Sequence, residues 1–504
     1  MTSVQSPLFE PVLWEGNGFR ILDEISLPEQ IQYISVRDVS QAIDAVREMK
    51  TRAFGQVLTF FYSGALLAQN YRRKEIQPLR ASMDQLTQQF CRARPTFDFR
   101  GLGQYFDEWF EKLPAHVSTG EWISEHARDF AAQIVCARDV RAKRAAELLP
   151  DPARVLTHCN VSGELLAMAQ HCAAMSKQLA VIATETRPYL QGARLTAWEL
   201  ARAGVRVALI PDCAIAQVMA RGEVNAVIVG SDRAAQNGDI INKVGTYPLA
   251  SMARQYGIPF HVLVQDPRSL AQGSDVPIEE RPGAELLTFQ GRQLIADDSI
   301  AVRYPAFDVT PAALITNFIG FDDVYTPQSF RRKYQQHTVA APSATKDESK
   351  YLLVYGIPPL DQCDYLTGAL KAEQASRLLI PEMRPQMWGV HVVAPALLRR
   401  NAPTTLISDN MMGIFFARGE VRKLYLYYSR LDQQGPSGIC GSLLAVRLAR
   451  AHGVPIELLA SEPVMPSSVD TDVSTFMGTS ICPTGVSVLA VGNEVMSWEL
   501  FKGA

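Results

Sequence analysis

ETRPYLQGARLTAWELARAGVRVALIPDCAIAQVMARGEVNAVIVGSDR (185–233) and EMRPQMWGVHVVAPALLRRNAPTTLISDNMMGIFFARGEVRKLYLYYSR (382–430) are two versions of one segment. Laid together without a gap they keep a constant offset, 382 minus 185 being 197, and 16 of the 49 positions are identical. The shared residues include Glu185 and Glu382, Arg187 and Arg384, Pro188 and Pro385, Gly192 and Gly389, Asp212 and Asp409, and the runs 220–224 and 417–421. After a one-residue slip, GIPFHVL (257–263) faces GVPIELL (453–459). A repeat of this length means that one structural unit occurs twice.

The texture around the segment identifies the unit. From about Arg154, short apolar runs (ARVLTHC, QLAVIAT, VRVALI, NAVIVG, FHVLVQ) alternate with stretches of helical period such as LTAWELARAG and YPLASMARQYG. Alternating strand and helix predicts a mainly parallel sheet covered on both faces. LLVYG, ASRLLIPEMRP, APTTLISDN, EVRKLYLYY and GVPIELLA repeat the rhythm after 350. Gly222 and Gly419 each follow a helical stretch, where a left-handed C-terminal cap suits glycine. Residues 35–145 read as helices, with SVRDVSQAIDAVREMK carrying a Ser at its start and TRAFGQVLTFFYSGALLAQNYRRK repeating the apolar spacing. QHTVAAPSATKDESK (336–350) is small and polar and reads as a linker. The expected α/β organisation is an N-terminal helical domain (1–150), a Rossmann-like parallel-sheet domain (151–335), the linker, and a tandem, degenerate copy of the same domain (351–504).

Composition narrows the function classes. Lys plus Arg number 49 and Asp plus Glu 52, so the formal net charge is −3, with 47% hydrophobic and 20% charged residues. That balance suggests neither a polyanion-binding surface nor a disordered chain, and no basic stripe with interleaved aromatics speaks for nucleic acid. The opening residues lack a basic start followed by an apolar core, and no apolar run reaches the roughly 18 residues of a membrane span, so a cytoplasmic protein without membrane contact is expected. Eight scattered cysteines form no CxxC pair and no zinc-ligand spacing appears, so reduced thiols and no metal are expected.

Comparing the two copies separates fold from chemistry. Cys159, which ends a strand in VLTHCN, faces Gly356 in LLVYG; Asp232, in VIVGSDR, faces Ser429 in LYLYYSR; and NGDIINK (237–243) faces QQGPSGIC, so Asn242 and Lys243 lack counterparts. Taken singly, Cys159 reads as a packed thiol, Asp232 as a helix cap, Asn237 with Gly238 as a turn, and Arg52 and Arg94 as solvated or structural. Together they put a thiol, a carboxylate and an ammonium group just beyond strand C-termini, the ligand edge of parallel sheets, where a thiol and carboxylate can act as an acid and base pair beside a held phosphate.

ETRPYLQGARLTAWEL (185–200), NAVIVGSDRAAQNGDIINKVGTY (225–247), VPIEERPGAEL (276–286) and PAFDVTPAALI (305–315) resemble the S-methyl-5-thioribose-1-phosphate isomerases of methionine salvage, within the wider translation initiation factor 2B superfamily. PVLWEGNGFRILDEISLPEQIQYI and REMKTRAFG extend the resemblance over about residues 8–330. It implies an aldose–ketose isomerase needing neither metal nor nucleotide cofactor, with Cys159 and Asp232 catalytic and Arg52, Arg94, Gln191, Asn242 and Lys243 contacting a sugar phosphate. A paralogue acting on 5-deoxyribose 1-phosphate or another ribose phosphate, and a non-catalytic sugar-phosphate or nucleotide-binding regulator, are the alternative readings. RAFGQ (52–56) departs from the family's Arg-Gly-Ala-Pro-Ala by inserting an aromatic. Because the family forms homodimers through this domain, the second copy is expected to supply an intrachain pseudo-dimer, with a homodimer as the alternative.

Overall fold

The apolar runs become the inner strands of two parallel sheets in the computed structural model, which describes residues 6–73, 75–295, 300–335, 351–461 and 472–502. The expected linker, 336–350, lies outside the described residues. In the first sheet Ala153–Thr157 is central, with Leu179–Thr184 and Arg206–Ile210 to one side and Ala226–Val229, Phe260–Leu263 and Asn317–Ile319 to the other. Val324–Tyr325 closes that side antiparallel. In the second sheet Tyr351–Tyr355 is central, flanked by Arg377–Pro381 and Thr404–Ile407 on one side and Val421–Tyr428 and Ile456–Ala460 on the other, all parallel. The two sheets share one strand order, and their inner strands are buried on both faces, which explains the near-continuous apolar runs. Gly222 and Gly419 have the left-handed φ values expected of helix caps, 68° and 67°.

Each unit lends the other an edge strand. Ser487–Val488 pairs with Ala208 and Leu209 of the first sheet. Ala301–Val302 pairs with Thr405 and Leu406 of the second, the positions 197 further along. Between the sheets, helices Ile215–Ala220 and Thr246–Gln255 pack on Ser442–Ala451 and Met412–Ala417. Two buried ion pairs cross there symmetrically. The Arg187 guanidinium donates to Glu382 at 2.6 and 3.0 Å, and that of Arg384 to Glu185 at 2.8 to 3.2 Å. Asp212 accepts from the amides of Thr186 and Arg187, and Asp409 from those of Met383 and Arg384, so the shared Glu-x-Arg-Pro and Asp residues build a joint.

The N-terminal region is helical from Val39 to Leu148 and packs around Phe60, Phe61, Phe90, Phe99 and Phe106. Two features differ from the sequence reading. Ser35 lies in a strand, Tyr33–Val36, of a three-stranded antiparallel sheet with Val12–Trp14 and Phe19–Leu22. The first helix starts instead at Asp38, whose side chain accepts from Ser40 N and which forms a capping box with Gln41. Helix Phe54–Gln69 is buried on nearly all sides and lies over the C-terminal edge of the first sheet, against Thr119–Leu148.

Candidate functional site

The strand order reverses direction at Ala153–Thr157, the place where open parallel sheets leave a crevice beyond their C-termini. The register pairs Leu156 with Val227, so the two chains leave the sheet side by side, one into Cys159 and the other into Asp232. The helical region roofs this crevice and encloses a cavity of about 430 Å³. Cys159, Asp232, Arg52, Arg94, Gln191, Asn242 and Lys243 all line it. The fold thus brings these groups, from five separate stretches of sequence, into one cavity.

The Cys159 turn is held from below. Cys159 has φ of +66°, uncommon for a residue with a side chain, and Ser162 and Gly163 follow at +48° and +83°. Its amide donates to Thr186 Oγ1 at 2.9 Å and its carbonyl accepts from Thr196 Oγ1 at 2.7 Å. Asn160 donates to Thr196 Oγ1 and accepts from Ser162 N. Further on, Glu164 accepts from Arg138 Nε at 2.7 Å and from Arg141 Nε and Nη2 at 2.8 and 2.6 Å, all three side chains buried. Arg138 also donates to the carbonyls of Phe9 and Ser162, so helix Thr119–Leu148 grips the end of the turn. Burial alone would raise the Glu164 carboxyl, but Arg141 and Arg138 outweigh it and hold it below the usual range.

Electrostatics divide the reactive groups. Burial pushes the Cys159 thiol up to about 11 against the pull of Lys243, so it keeps its proton at neutral pH. Burial also raises Asp232, with Lys243 and Arg94 pulling it back, and lowers Lys243, with Cys159 and Asp232 opposing. Buried cations around the pair have unfilled capacity. Among the described residues, Arg52 Nε, Arg94 Nε and Gln191 Oε1 are buried without a hydrogen-bond partner. Such groups lose solvation without compensation unless something else engages them. Arg52 is set in place through its backbone amide, which donates to Glu24 at 2.9 Å, and its guanidinium lies 5.4 Å from the Tyr189 ring. Asn242 donates to Thr246 Oγ1, and the Arg94 guanidinium meets the Met49 sulfur and, at 3.8 Å, the Glu279 carboxylate. The other wall of the cavity is apolar: Phe54, Val57, Phe97, Leu102 and Phe130. Phe54, the aromatic inserted beside Arg52, stacks 3.8 Å from the Arg138 guanidinium.

Thr184, Thr186, Thr196 and Glu24 escaped the sequence reading. For the threonines the signal was present in the repeat: the second copy has Pro381, Met383 and Val393 at those positions. Its corresponding edge has Gly356 and Ser429 for Cys159 and Asp232, and Tyr427, only 1% exposed, where the first copy has Gly230.

The fold and cavity define an α/β protein with a cavity lined by arginines and a lysine under a helical roof. The chain belongs to the initiation factor 2 subunit family, whose model matches residues 58–320, more than half of its length. It is 40% identical over 341 residues to the methylthioribose-1-phosphate isomerase of Desulforudis audaxviator, covering 63% of this chain and 94% of that protein. It is 36% identical over 336 residues to the isomerase of the same name from Thermotoga neapolitana, covering 62% and 94%. Among solved structures, 5-methylthioribose 1-phosphate isomerase from Pyrococcus horikoshii aligns with a TM-score of 0.57 at 30% identity, covering 67% of this chain and 99% of that one. The delta subunit of translation initiation factor eIF-2B from A. fulgidus aligns at 0.52 and 31%, covering 63% and 96%. No helix among the described residues is long and apolar enough to cross a membrane.

Proposed function

We propose that this chain is an aldose–ketose isomerase that converts 5-methylthioribose 1-phosphate to 5-methylthioribulose 1-phosphate. The observation that carries the reading is the meeting, in one cavity, of a protonated half-buried thiol, a carboxylate and arginines whose Nε groups have no hydrogen-bond partner. The phosphate on the anomeric oxygen forces the furanose to open with the phosphoryl group in place. Opening puts a proton on the ring oxygen as its bond to C1 breaks. The hydrogen of C2 is delivered to C1, and the C2 hydroxyl gives up its proton as the ketone forms. Cys159 has the proton to give and Asp232 the charge to receive one, and passing that proton back resets the pair. Arg52, Arg94 and Lys243 suit the phosphate dianion, while Gln191 and Asn242 supply amides for the sugar. The apolar wall under the helical roof favours an uncharged 5-substituent over a second phosphate.

Phosphorus NMR of the protein with methylthioribose 1-phosphate, 5-deoxyribose 1-phosphate and ribose 1,5-bisphosphate in parallel tests the reading. Conversion of the first to its ketose, abolished by Cys159→Ala, is expected. Preference for 5-deoxyribose 1-phosphate would reassign the substrate, and binding without turnover of any of the three would replace the isomerase by a regulator.

A further inference from the structure

The hydrogen bonds behind Cys159 do not stop within the first unit. Cys159 N donates to Thr186 Oγ1, which lies 3.2 Å from Thr184 Oγ1; Thr184 Oγ1 is 2.7 Å from His158 Nδ1, and His158 Nε2 is 2.9 Å from the Val244 carbonyl. A carbonyl only accepts, so Nε2 carries the ring proton and Nδ1 accepts from Thr184. Burial pushes His158 down to about 4, which keeps the ring neutral and this polarity in place. Val244 directly follows Lys243, and its carbonyl is reached from the other side by Asn410 Nδ2 of the second unit at 3.3 Å. The same amide donates to the Arg187 carbonyl at 2.9 Å, and its oxygen accepts from Ser408 Oγ at 2.6 Å, so every position of the Asn410 side chain is oriented. Space is tight here: a Cβ on Gly245, whose φ is +108°, would come within 2.7 Å of the His158 ring and 3.0 Å of Asn410 Cβ.

The repeat offers the mirror position for comparison. Asn410 minus 197 is position 213, and Cys213 Sγ donates to the Arg384 carbonyl at 3.3 Å, just as Asn410 does to that of Arg187. Tyr355 OH donates to the Cys440 carbonyl at 2.8 Å, as His158 does to that of Val244. The joint is thus symmetric in its backbone contacts and asymmetric in its chemistry. The polar pair, Ser408 and Asn410, sits on the unit that lacks counterparts of Cys159 and Asp232 and reaches the Arg187 and Val244 carbonyls behind the cavity of the other. The apolar pair, Pro211 and Cys213, sits on the unit with the cavity and faces the edge that has lost its chemistry. Asn410 reaches the Val244 carbonyl, whereas Cys213 meets the Cys440 thiol at 3.6 Å, so only the side facing the cavity has an amide donor to the strand that carries Lys243.

We propose that Asn410, oriented by Ser408, is a positioning residue for the site of the first unit: it fixes the Val244 carbonyl and so the relative placement of Lys243 and Cys159. The C-terminal copy is then a resident part of the site, an intrachain partner that lends it a side chain. This inference rests on the isomerase reading for its kinetic arm but not for its chemical one.

The test compares Asn410→Cys and Ser408→Ala with Cys213→Ser, the control on the silent side, using the full chain. Asn410→Cys is expected to lower kcat about tenfold with KM for methylthioribose 1-phosphate within about twofold, since small misplacements of reacting groups cost rate more than affinity. Ser408→Ala is expected to lose about threefold by the same mechanism. Both are expected to speed iodoacetamide labelling of Cys159, followed by mass spectrometry of its peptide, while Cys213→Ser behaves as wild type in both assays. A purely structural role would shift unfolding temperature alone, and folded Asn410→Cys with wild-type kcat and Cys159 labelling overturns the proposal. If Asn410→Cys does not fold, Ser408→Ala unchanged in both readouts overturns it equally. Wild-type protein inert on all three sugar phosphates would instead sink the isomerase reading, and the labelling assay would still decide the role of Asn410.

Discussion

Cys159 and Asp232 are complementary because their surroundings leave one protonated and the other available to ionise. The rate profile should show both limits. Activity is expected to fall as pH drops through the raised value of Asp232, when the base is lost, and again as pH approaches about 11, when burial no longer keeps the Cys159 proton in place. Replacing Asp232 by Asn removes the base and is expected to cost about 10²- to 10⁴-fold in kcat, with binding of a phosphorylated competitor retained. Isothermal titration with the competitor separates that outcome from loss of the fold. Cys159, Asp232, Asn242 and Lys243 were legible because the repeat acts as an internal control, in which chemistry present in one copy only stands out against shared fold, whereas Arg52, Arg94 and Gln191 rested on the family resemblance. Glu24 was not legible, since it lies outside the repeated unit and acts on the Arg52 amide through a contact 28 positions apart.

The Cys159 turn and helix Thr119–Leu148 form the next level, joined by Glu164 and two arginines. Two guanidiniums around one buried carboxylate leave uncompensated charge when the carboxylate is removed. Glu164→Gln is expected to destabilise the protein by about 3–5 kcal/mol in urea unfolding at neutral pH. Because the Glu164 carboxyl is held below its ordinary 4.5, this stabilisation is fully present above that value and is lost as pH falls through the lower, folded one. The difference between wild type and Glu164→Gln should therefore shrink in acid and stay constant from pH 5 to 8; a gap that widened in acid would contradict the assignment. Strands and helices of the two sheets were readable from apolar runs and their alternation. The N-terminal sheet was not, because Val12–Trp14, Phe19–Leu22 and Tyr33–Val36 are too short to establish a period, and Ser35 mimicked a cap that Asp38 provides. Edge strands of two residues, Ala301–Val302 and Ser487–Val488, likewise owe their existence to the opposite sheet rather than to local sequence.

Across the whole molecule, the shared residues Glu185, Arg187, Glu382 and Arg384 do for one chain what an interface does for two. Reversing one member, Glu382→Arg, is expected to destabilise by about 3–5 kcal/mol or prevent folding, because it buries two guanidiniums together. Adding Arg187→Glu should restore a substantial part, measured as the coupling energy of a double-mutant cycle. Strands exchanged in both directions and four helices between the sheets join the two units within the chain. On this account one chain holds one complete site, roofed by its N-terminal helices and supported by its C-terminal copy. The direct test is to chromatograph the full chain with in-line light scattering and assay each fraction for methylthioribose 1-phosphate isomerisation. Turnover that peaks with a species of 55.7 kDa is the expected result. Turnover confined to a species of twice that mass, or absent from every fraction, would contradict it.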